Sequence, residues 1–509
     1  MVRNIAPYIS DHRLDEPCFW AVQHAGPVQI RPGKAMRVLA YGALKSIIAF
    51  TRSSGEQAFC VAEEKISFGR LVMRDVSSHS VRRVTAIVTV LVISLALIAS
   101  PVHAAESKGA LRAGAARIDI TPDKPVRMSG YASRTELSEG VHDPLSARAV
   151  AFENNGKRLV LVSNDLIGFT GGTAEYFREI ILREFKLEPS ELFLAGIHTH
   201  GGPTPTIDKE KGHPNNLEYT KDLEGKLTEV IRKALDNMAP VQIGAGVGYS
   251  PVGANRRELT FDSTGNSEIR LGRNPYGPTD KQVLVMKVAR PDGAVCAALF
   301  DYATHATCMG GKNLVITGDV LGLSEQFVEK ILGPDVIAAA FAGASGNIDP
   351  WFRVLPAFNT EPGWVPEPVL LGTFLGEEVV HVFRDIGKVS GEADIATAFA
   401  TLELPGKPRD QLEIPKECPP TSLNISAARV GNIAFVGLGA EVLTEIGMSI
   451  KAASPYEFTF VITHCNGGAG YLPPGHLYIE GGYEVKSSAF GPQAAELAVK
   501  QAVKMLHEL

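Results

Sequence analysis

Apolar residues along the chain gather in short runs bounded by glycine, proline and asparagine, with helix-like stretches set between them. Ala113–Asp119 alternates small and apolar residues and leaves into Ile120-Thr121-Pro122, which predicts a strand ending in a turn. Leu145–Glu153 and Lys157–Asn164 predict two strands around Asn154-Asn155-Gly156. The second contains LVLVSND, the pattern of a central strand covered on both faces. A helix is predicted from Thr173 to Phe185, then a short strand over Leu192–Ile197 that runs into His198-Thr199-His200-Gly201-Gly202-Pro203. Asn216–Met238 has the spacing of a long amphipathic helix. Asp280–Arg290 and Ala294–Thr304 predict a hairpin around Pro291-Asp292-Gly293. Val336–Phe341, Ala427–Leu438 and Thr459–Cys465 predict three more strands, and a helix closes the chain. Leu355–Pro368, rich in proline and glycine, is read as a surface loop, and no internal repeat or low-complexity linker is seen. Strands and helices interspersed in this way predict an α/β (α+β layered) fold, here one large domain with a central mixed sheet.

The first hundred residues are read separately. Val84–Ala99 is an apolar run of 16 small and β-branched residues, preceded by Arg74, Arg82 and Arg83 and followed by Ser100-Pro101-Val102-His103-Ala104. A basic region, an apolar stretch and a small-residue exit match a secretory signal peptide beginning at Met73 and cut after Ala104. A retained membrane anchor is the competing reading, because the run is only just shorter than a span of about 17–25 residues. The expected organisation is therefore an upstream extension over 1–72 that is not part of the natural product, a signal peptide over 73–104, and a catalytic domain over 105–509 that is secreted or periplasmic.

Composition adds little beyond exclusions. The net charge of −6 and the lack of a basic block with interleaved aromatics argue against nucleic-acid binding. A chain of 509 residues buries enough surface to need no metal for stability, so a metal site would be functional. After the expected cut, Cys296, Cys308, Cys418 and Cys465 remain; none forms a CxxC pair, so a cysteine zinc site is not expected, and one or two disulfides are allowed by an oxidising compartment. Oligomeric state has no signal in the sequence.

Four predicted strands end in polar, glycine-flanked residues: His198-Thr199-His200, His305, the turn Gly343–Pro350, and the run from Cys465 to Tyr471. Strand ends are where α/β proteins place their sites. Residues two apart in extended chain point the same way, so His198 and His200 can face one cavity, and neutral imidazole is a preferred zinc ligand. Gly201-Gly202 in place of further Asp and His ligands excludes a metallo-β-lactamase-like arrangement. Taken singly, His305 can be structural, Glu441 a helix-terminal carboxylate, Tyr471 a core residue and Arg256 a surface ion pair, as its neighbour Arg257 is expected to be.

In order, HTHGGP, ANRRE, YATHAT, FAGASGNIDP, GAEVLTEIG, CNGGAGY and YEVKSSAFGP resemble the neutral (alkaline, non-lysosomal) ceramidases from about Ala113 to Pro492, and GAARIDITP with MSGYASR resembles the start of that family's catalytic domain. The resemblance implies a zinc-dependent hydrolase of linear amides acting on an N-acyl lipid, with contact to a membrane surface an accompanying expectation. It implies one Zn2+ held by His198, His305, Glu441 and Tyr471, with His200, Arg256 and Tyr483 around the reacting carbonyl. An esterase or lactonase on the same zinc, or a secreted binding protein without turnover, are the alternatives. The sequence departs from the family's pattern in three places. Asp349 stands where the family's GDVSPN turn has a serine argued to act in catalysis, HTHGGP replaces HTHSGP, and the sequence stops at Leu509 without the family's C-terminal β-sandwich.

Overall fold

A computed structural model describes residues 110–351 and 367–509. The expected extension, the expected signal peptide and nearly all of the proline-rich loop at 355–368 lie outside the described residues; Glu367 and Pro368 open a helix. Among the described residues, no helix is long and apolar enough to cross a membrane, and Cys296, Cys418 and Cys465 are free thiols.

The chain builds the same unit three times. In the first, β1 (Arg112–Asp119), β2 (Ser146–Asn154) and β3 (Lys157–Asn164) form an antiparallel meander, and helix α1 (Thr173–Phe185) carries the chain to β4 (Leu192–Gly196), parallel to β3. Helix α2 (Pro214–Asp236) and the short strand Ala239–Pro240, paired with β1, lead out of it. The second unit repeats the order with β5 (Gln242–Tyr249), β6 (Gln282–Ala289), β7 (Val295–Tyr302), helix α3 (Asp319–Leu332) and β8 (Ile337–Ala342). After helix α4 (Glu367–Asp385), the third uses β9 (Ile395–Leu404), β10 (Thr421–Val430), β11 (Ile433–Leu438), helix α5 (Thr444–Ala453) and β12 (Phe458–Ile462), and α6 (Ala494–Glu508) follows. In every unit the fourth strand lies parallel beside the third and the strand order is 4-3-2-1. A parallel return needs a crossover of a dozen or more residues, which explains a helix at the same point in each unit.

The layered α/β class is as expected, with the mixed sheet divided among three units. The absence of a repeat is corrected: the repetition lies in topology, while side chains and loop lengths differ between units. The single strand expected over Ala427–Leu438 is also corrected. It is the end of β10 and all of β11, joined at Gly431-Asn432, where Gly431 has φ 62° and Val430 pairs with Ile433. The corresponding turn in the first unit, Asn155-Gly156, has both residues at positive φ, the backbone that matches strand twist in a two-residue hairpin.

One face of each sheet meets a shared core, to which Phe152, Phe193, Met286, Phe341, Phe435 and Phe460 contribute from all three units. The opposite faces are covered by α1 and α2, by α3 and α4, and by α5 and α6 respectively. Each fully buried Leu or Phe contributes roughly 1.5–3 kcal/mol, so the strands are held from both sides. A fully buried ion cluster also ties the first unit to the second: Arg148 on β2 reaches Glu325 (2.6 Å) and Glu329 (3.0 Å) on α3, and Asp165 (3.3 Å) after β3.

Candidate metal centre

The C-terminal ends of the third and fourth strands of all three units supply the site. Three residues beyond the third strands stand Ile167, His305 and Glu441; two residues beyond the fourth stand His198, Ala344 and His464. His198 and His464 share a left-handed backbone (φ 62° and 52°) and the same tether: each backbone N–H donates to the carbonyl two residues past the third strand, Leu166 (2.9 Å) and Ala440 (3.2 Å).

Backbone carbonyls orient the two expected histidine ligands. His198 Nδ1 is 2.8 Å from Ile167 O, and His305 Nδ1 is 2.8 Å from Ser345 O and 3.0 Å from Ile348 O. With Nδ1–H donating to a carbonyl, each Nε2 keeps its lone pair, as in histidines that bind metals through the other nitrogen. His200 Nε2 faces His198 Nε2 at 3.3 Å, and the ligand atoms of His198, His200 and His305 all lie within 4.8 Å of one another. Glu441 Oε2 is 3.5 Å from His198 Nε2 and 3.7 Å from His305 Nε2, buried and without a hydrogen-bond donor. Converging imidazole nitrogens beside a carboxylate oxygen that accepts no hydrogen bond fit a divalent cation.

The remaining expected residues pack around this group. Glu441-Val442 pairs in parallel with Tyr471-Leu472, which sets Glu441 beside Tyr471. Arg256 is buried and donates from every nitrogen: Nε to Glu484 (2.9 Å), Nη1 to Asp349 (3.2 Å) and toward His305 Nε2 (3.3 Å), Nη2 to Gly346 O (2.8 Å) and the Tyr471 hydroxyl (3.1 Å). Tyr483 is 46% exposed, its ring edge-on to Tyr471 at 5.5 Å, which places it at the rim. Arg257, expected at the surface, is instead buried, with Glu484 at 2.8 Å and Glu480 at 3.2 Å. The backbone of its short strand turns the side chain inward, where Glu484 bridges both arginines.

Burial and charge set the protonation states. Burial and the Arg256 guanidinium push His305 below the ordinary imidazole value, and burial beside His198 holds His464 well below it. Burial would raise Glu441, but the positive potential of His198 and its histidine neighbours outweighs it and holds the carboxyl well below its usual range. Burial, then the Glu441 charge, pushes the Tyr471 phenol well up. His305 and His464 are thus held toward the neutral form, Glu441 toward the anion and Tyr471 toward the neutral phenol.

Two side chains missed in the sequence belong here. His464 stacks on His198 with ring centres 3.8 Å apart and planes 10° apart; its segment THCNGG echoes HTHGG after a strand of the same rank, a signal visible only once the repeat is known. Tyr131 packs edge-on to His200 at 4.9 Å. Above the cluster opens a cleft of about 690 Å³, whose wall includes His198, Glu441 and His464.

Residues 111–350 match the family model described as neutral/alkaline non-lysosomal ceramidase, N-terminal. Similar curated proteins include a neutral ceramidase of Oryza sativa subsp. japonica, 26% identical over 229 residues (42% of this chain, 28% of the relative), and neutral ceramidase B of Dictyostelium discoideum, 26% identical over 261 residues (47% and 35%). The matched segments thus span about a third of these relatives. The crystal structure of neutral ceramidase from Pseudomonas aeruginosa shares the fold, with TM-score 0.63 at 20% identity over 79% of this chain and 75% of that one. A ceramidase complexed with C2 gives TM-score 0.60, also at 20% identity, over 79% and 76%. On these matches residues 111–350 are similar to the N-terminal region of the neutral/alkaline non-lysosomal ceramidases, and the chain shares the fold of neutral ceramidase.

Proposed function

We propose that this chain is a zinc-dependent hydrolase that cleaves the N-acyl amide bond of a ceramide-like lipid or a related N-acyl compound. The observation that carries the reading is the convergence of His198, His305 and Glu441, one from each pair of strand ends, with His200 and Tyr471 beside them. His198, His305, Glu441 and Tyr471 would hold the ion. When bound, zinc would supply Lewis acidity and lower the pKa of water to about 7.

The chain's own residues do the rest. His200, at the edge of the cluster, would move a proton toward the leaving amine, a role open to imidazole as both acid and base. The Tyr483 hydroxyl would donate to the oxygen that gains charge as the carbonyl becomes tetrahedral, a contact worth roughly 3–4 kcal/mol in such sites. Arg256 contributes its charge and fixes Tyr471; all its donors are engaged, so donation to substrate would require it to release a partner. We further propose export of the protein, supported by the signal-like pattern over 73–104, and contact with a membrane surface when the substrate is a lipid.

The test is elemental analysis of purified residues 105–509 beside an assay of fluorescent ceramide and short N-acyl amides, with His198→Ala as control. About one zinc per chain and amide hydrolysis that the variant loses are expected. A chain free of zinc after gentle purification would overturn the metal assignment. Zinc without hydrolysis of any amide, but with ester or lactone cleavage, would move the reading to those substrates.

A further inference from the structure

The cleft above the histidines carries more positive charge than cleavage of a neutral lipid uses. Its wall holds Arg127, Arg134, Lys211 and Arg409 against two carboxylates, Asp208 and Glu441, in a chain of net charge −6. Glu441 faces the histidines, and Asp208 Oδ1 accepts the backbone N–H groups of Glu210 (2.9 Å) and Lys211 (3.1 Å). Arg134 donates to the backbone oxygens of Asn313, Ser129 and His200. The other three cations present exposed side chains to the cleft.

One of them is held by its guanidinium and another by its backbone. Arg409 Nη2 donates to Ala469 O at 2.7 Å, and its guanidinium lies over Gly470 (φ 86°), where a Cβ would come within 2.9 Å of Nη1. Gly470 O in turn accepts the backbone N–H of Glu441 at 2.9 Å, so Arg409 stands one residue from the ligand-bearing backbone. Across the cleft, the Asn216 side chain grips both backbone groups of Arg127, at 2.8 and 2.9 Å. The wall also includes Ser129, Thr170, Thr204 and Thr206. Guanidinium forks match a carboxylate in two-point geometry, and a cleft of one sign concentrates ligands of the other.

We propose that the preferred substrate is an acidic N-acyl amine, of which an N-acyl amino acid is the simplest form, with its carboxylate read by Arg127, Lys211 and Arg409. Water adds across the C–N bond, releasing a fatty carboxylate and the free amino acid. The inference rests on the amide-hydrolase reading and fixes which side of the amide the cleft selects.

N-dodecanoylglycine and N-dodecanoylethanolamine share acyl chain and amide and differ in the charge. With the zinc-loaded chain, kcat/KM for the acid should exceed that for the neutral amide by roughly tenfold or more, a gap that narrows as salt rises from about 0.05 to 0.5 M and screening shortens. The triple variant Arg127→Gln, Lys211→Gln, Arg409→Gln should bring the ratio toward one. Equal or better turnover of the neutral amide by the native chain would overturn the proposal. If neither is hydrolysed, calorimetry with the same two compounds separates the questions: tighter binding of the acid keeps the charge inference while the hydrolase reading fails, and equal binding sinks the inference as well.

Discussion

Gly130 shows how a residue without a side chain can govern one with chemistry. At φ 99°, a Cβ there would lie 2.2 Å from His200 Nδ1, so the glycine both accepts a left-handed backbone and leaves the space that the imidazole fills. Gly130→Ala is expected to displace His200, lowering kcat/KM by about tenfold to a hundredfold, because misplacement by about 1 Å is that costly; steady-state kinetics beside circular dichroism would check it, and native kinetics in a folded variant would remove His200 from the reaction. Asp349 poses the opposite question, being a charged side chain where the family has a serine. It accepts from Arg256 at 3.2 Å and from Thr307 at 3.4 Å, while Arg256 keeps Glu484 as a second carboxylate. Asp349→Ser should therefore keep zinc content and change activity by less than about tenfold, at a cost of roughly 1–3 kcal/mol in stability. A rise in activity well beyond tenfold would restore the serine to the chemistry. His198 stood out in sequence because it opens HTHGG at the end of an apolar run, whereas His305 and Glu441, each with an ordinary structural reading alone, took their roles from the resemblance. His464 was not legible, since a lone histidine carries no partner information until its strand is placed beside that of His198.

Elements were legible wherever a run of one periodicity ended at a turn residue, as for β3, α1 and the β6–β7 hairpin. The pattern failed where ARVGNIAF hid a two-residue turn inside continuous apolar sequence, and the division into three sheets is not written in any local period. Contacts between elements of different units are where long-range physics enters. Asp301, on β7, accepts the backbone N–H of Val461 on β12 at 2.9 Å and so joins the second unit to the third. Burial, only partly offset by the Lys451 charge, raises its carboxyl from 3.8 to about 6. Because the folded value exceeds the unfolded one, folding favours the protonated acid. Its stabilising effect is complete below about pH 3.8 and is lost as pH rises through about 6. Asp301→Asn, neutral at every pH, should remove that dependence. The stability of the native chain relative to the variant should fall by up to roughly 3 kcal/mol between pH 4 and pH 7, read from urea unfolding at each pH. A difference that does not change with pH would mean that Asp301 is ionised throughout.

At the scale of the whole molecule, the repeat explains why the site lies where it does. Three units, each ending its third and fourth strands toward one place, bring six loop positions together, and the proposed ligand set draws on all three: His198 from the first, His305 from the second, Glu441 from the third. None of these units shares enough sequence with another to reveal the repeat, because each sheet face is matched to its own helices while only the chain path is common. An ion at this junction would tie the units together, yet the shared core already holds them through Phe152, Phe341 and Phe435. Two consequences can be separated by experiment. Chelation should abolish hydrolysis while far-UV circular dichroism stays native, since burial rather than metal supplies the fold. It should also lower Tm, because an ion bound only by the native state stabilises by RT ln(1 + [L]/Kd), about 2.7 kcal/mol at a hundredfold excess over Kd. His198→Ala, His305→Ala and Glu441→Ala should each erase most of that zinc-dependent rise in Tm, although they lie in different units. If one of the three kept the full rise, the ion would not bridge the units as drawn. If chelation unfolded the chain outright, the core would be weaker than its burial implies, and the metal would be structural as well as chemical.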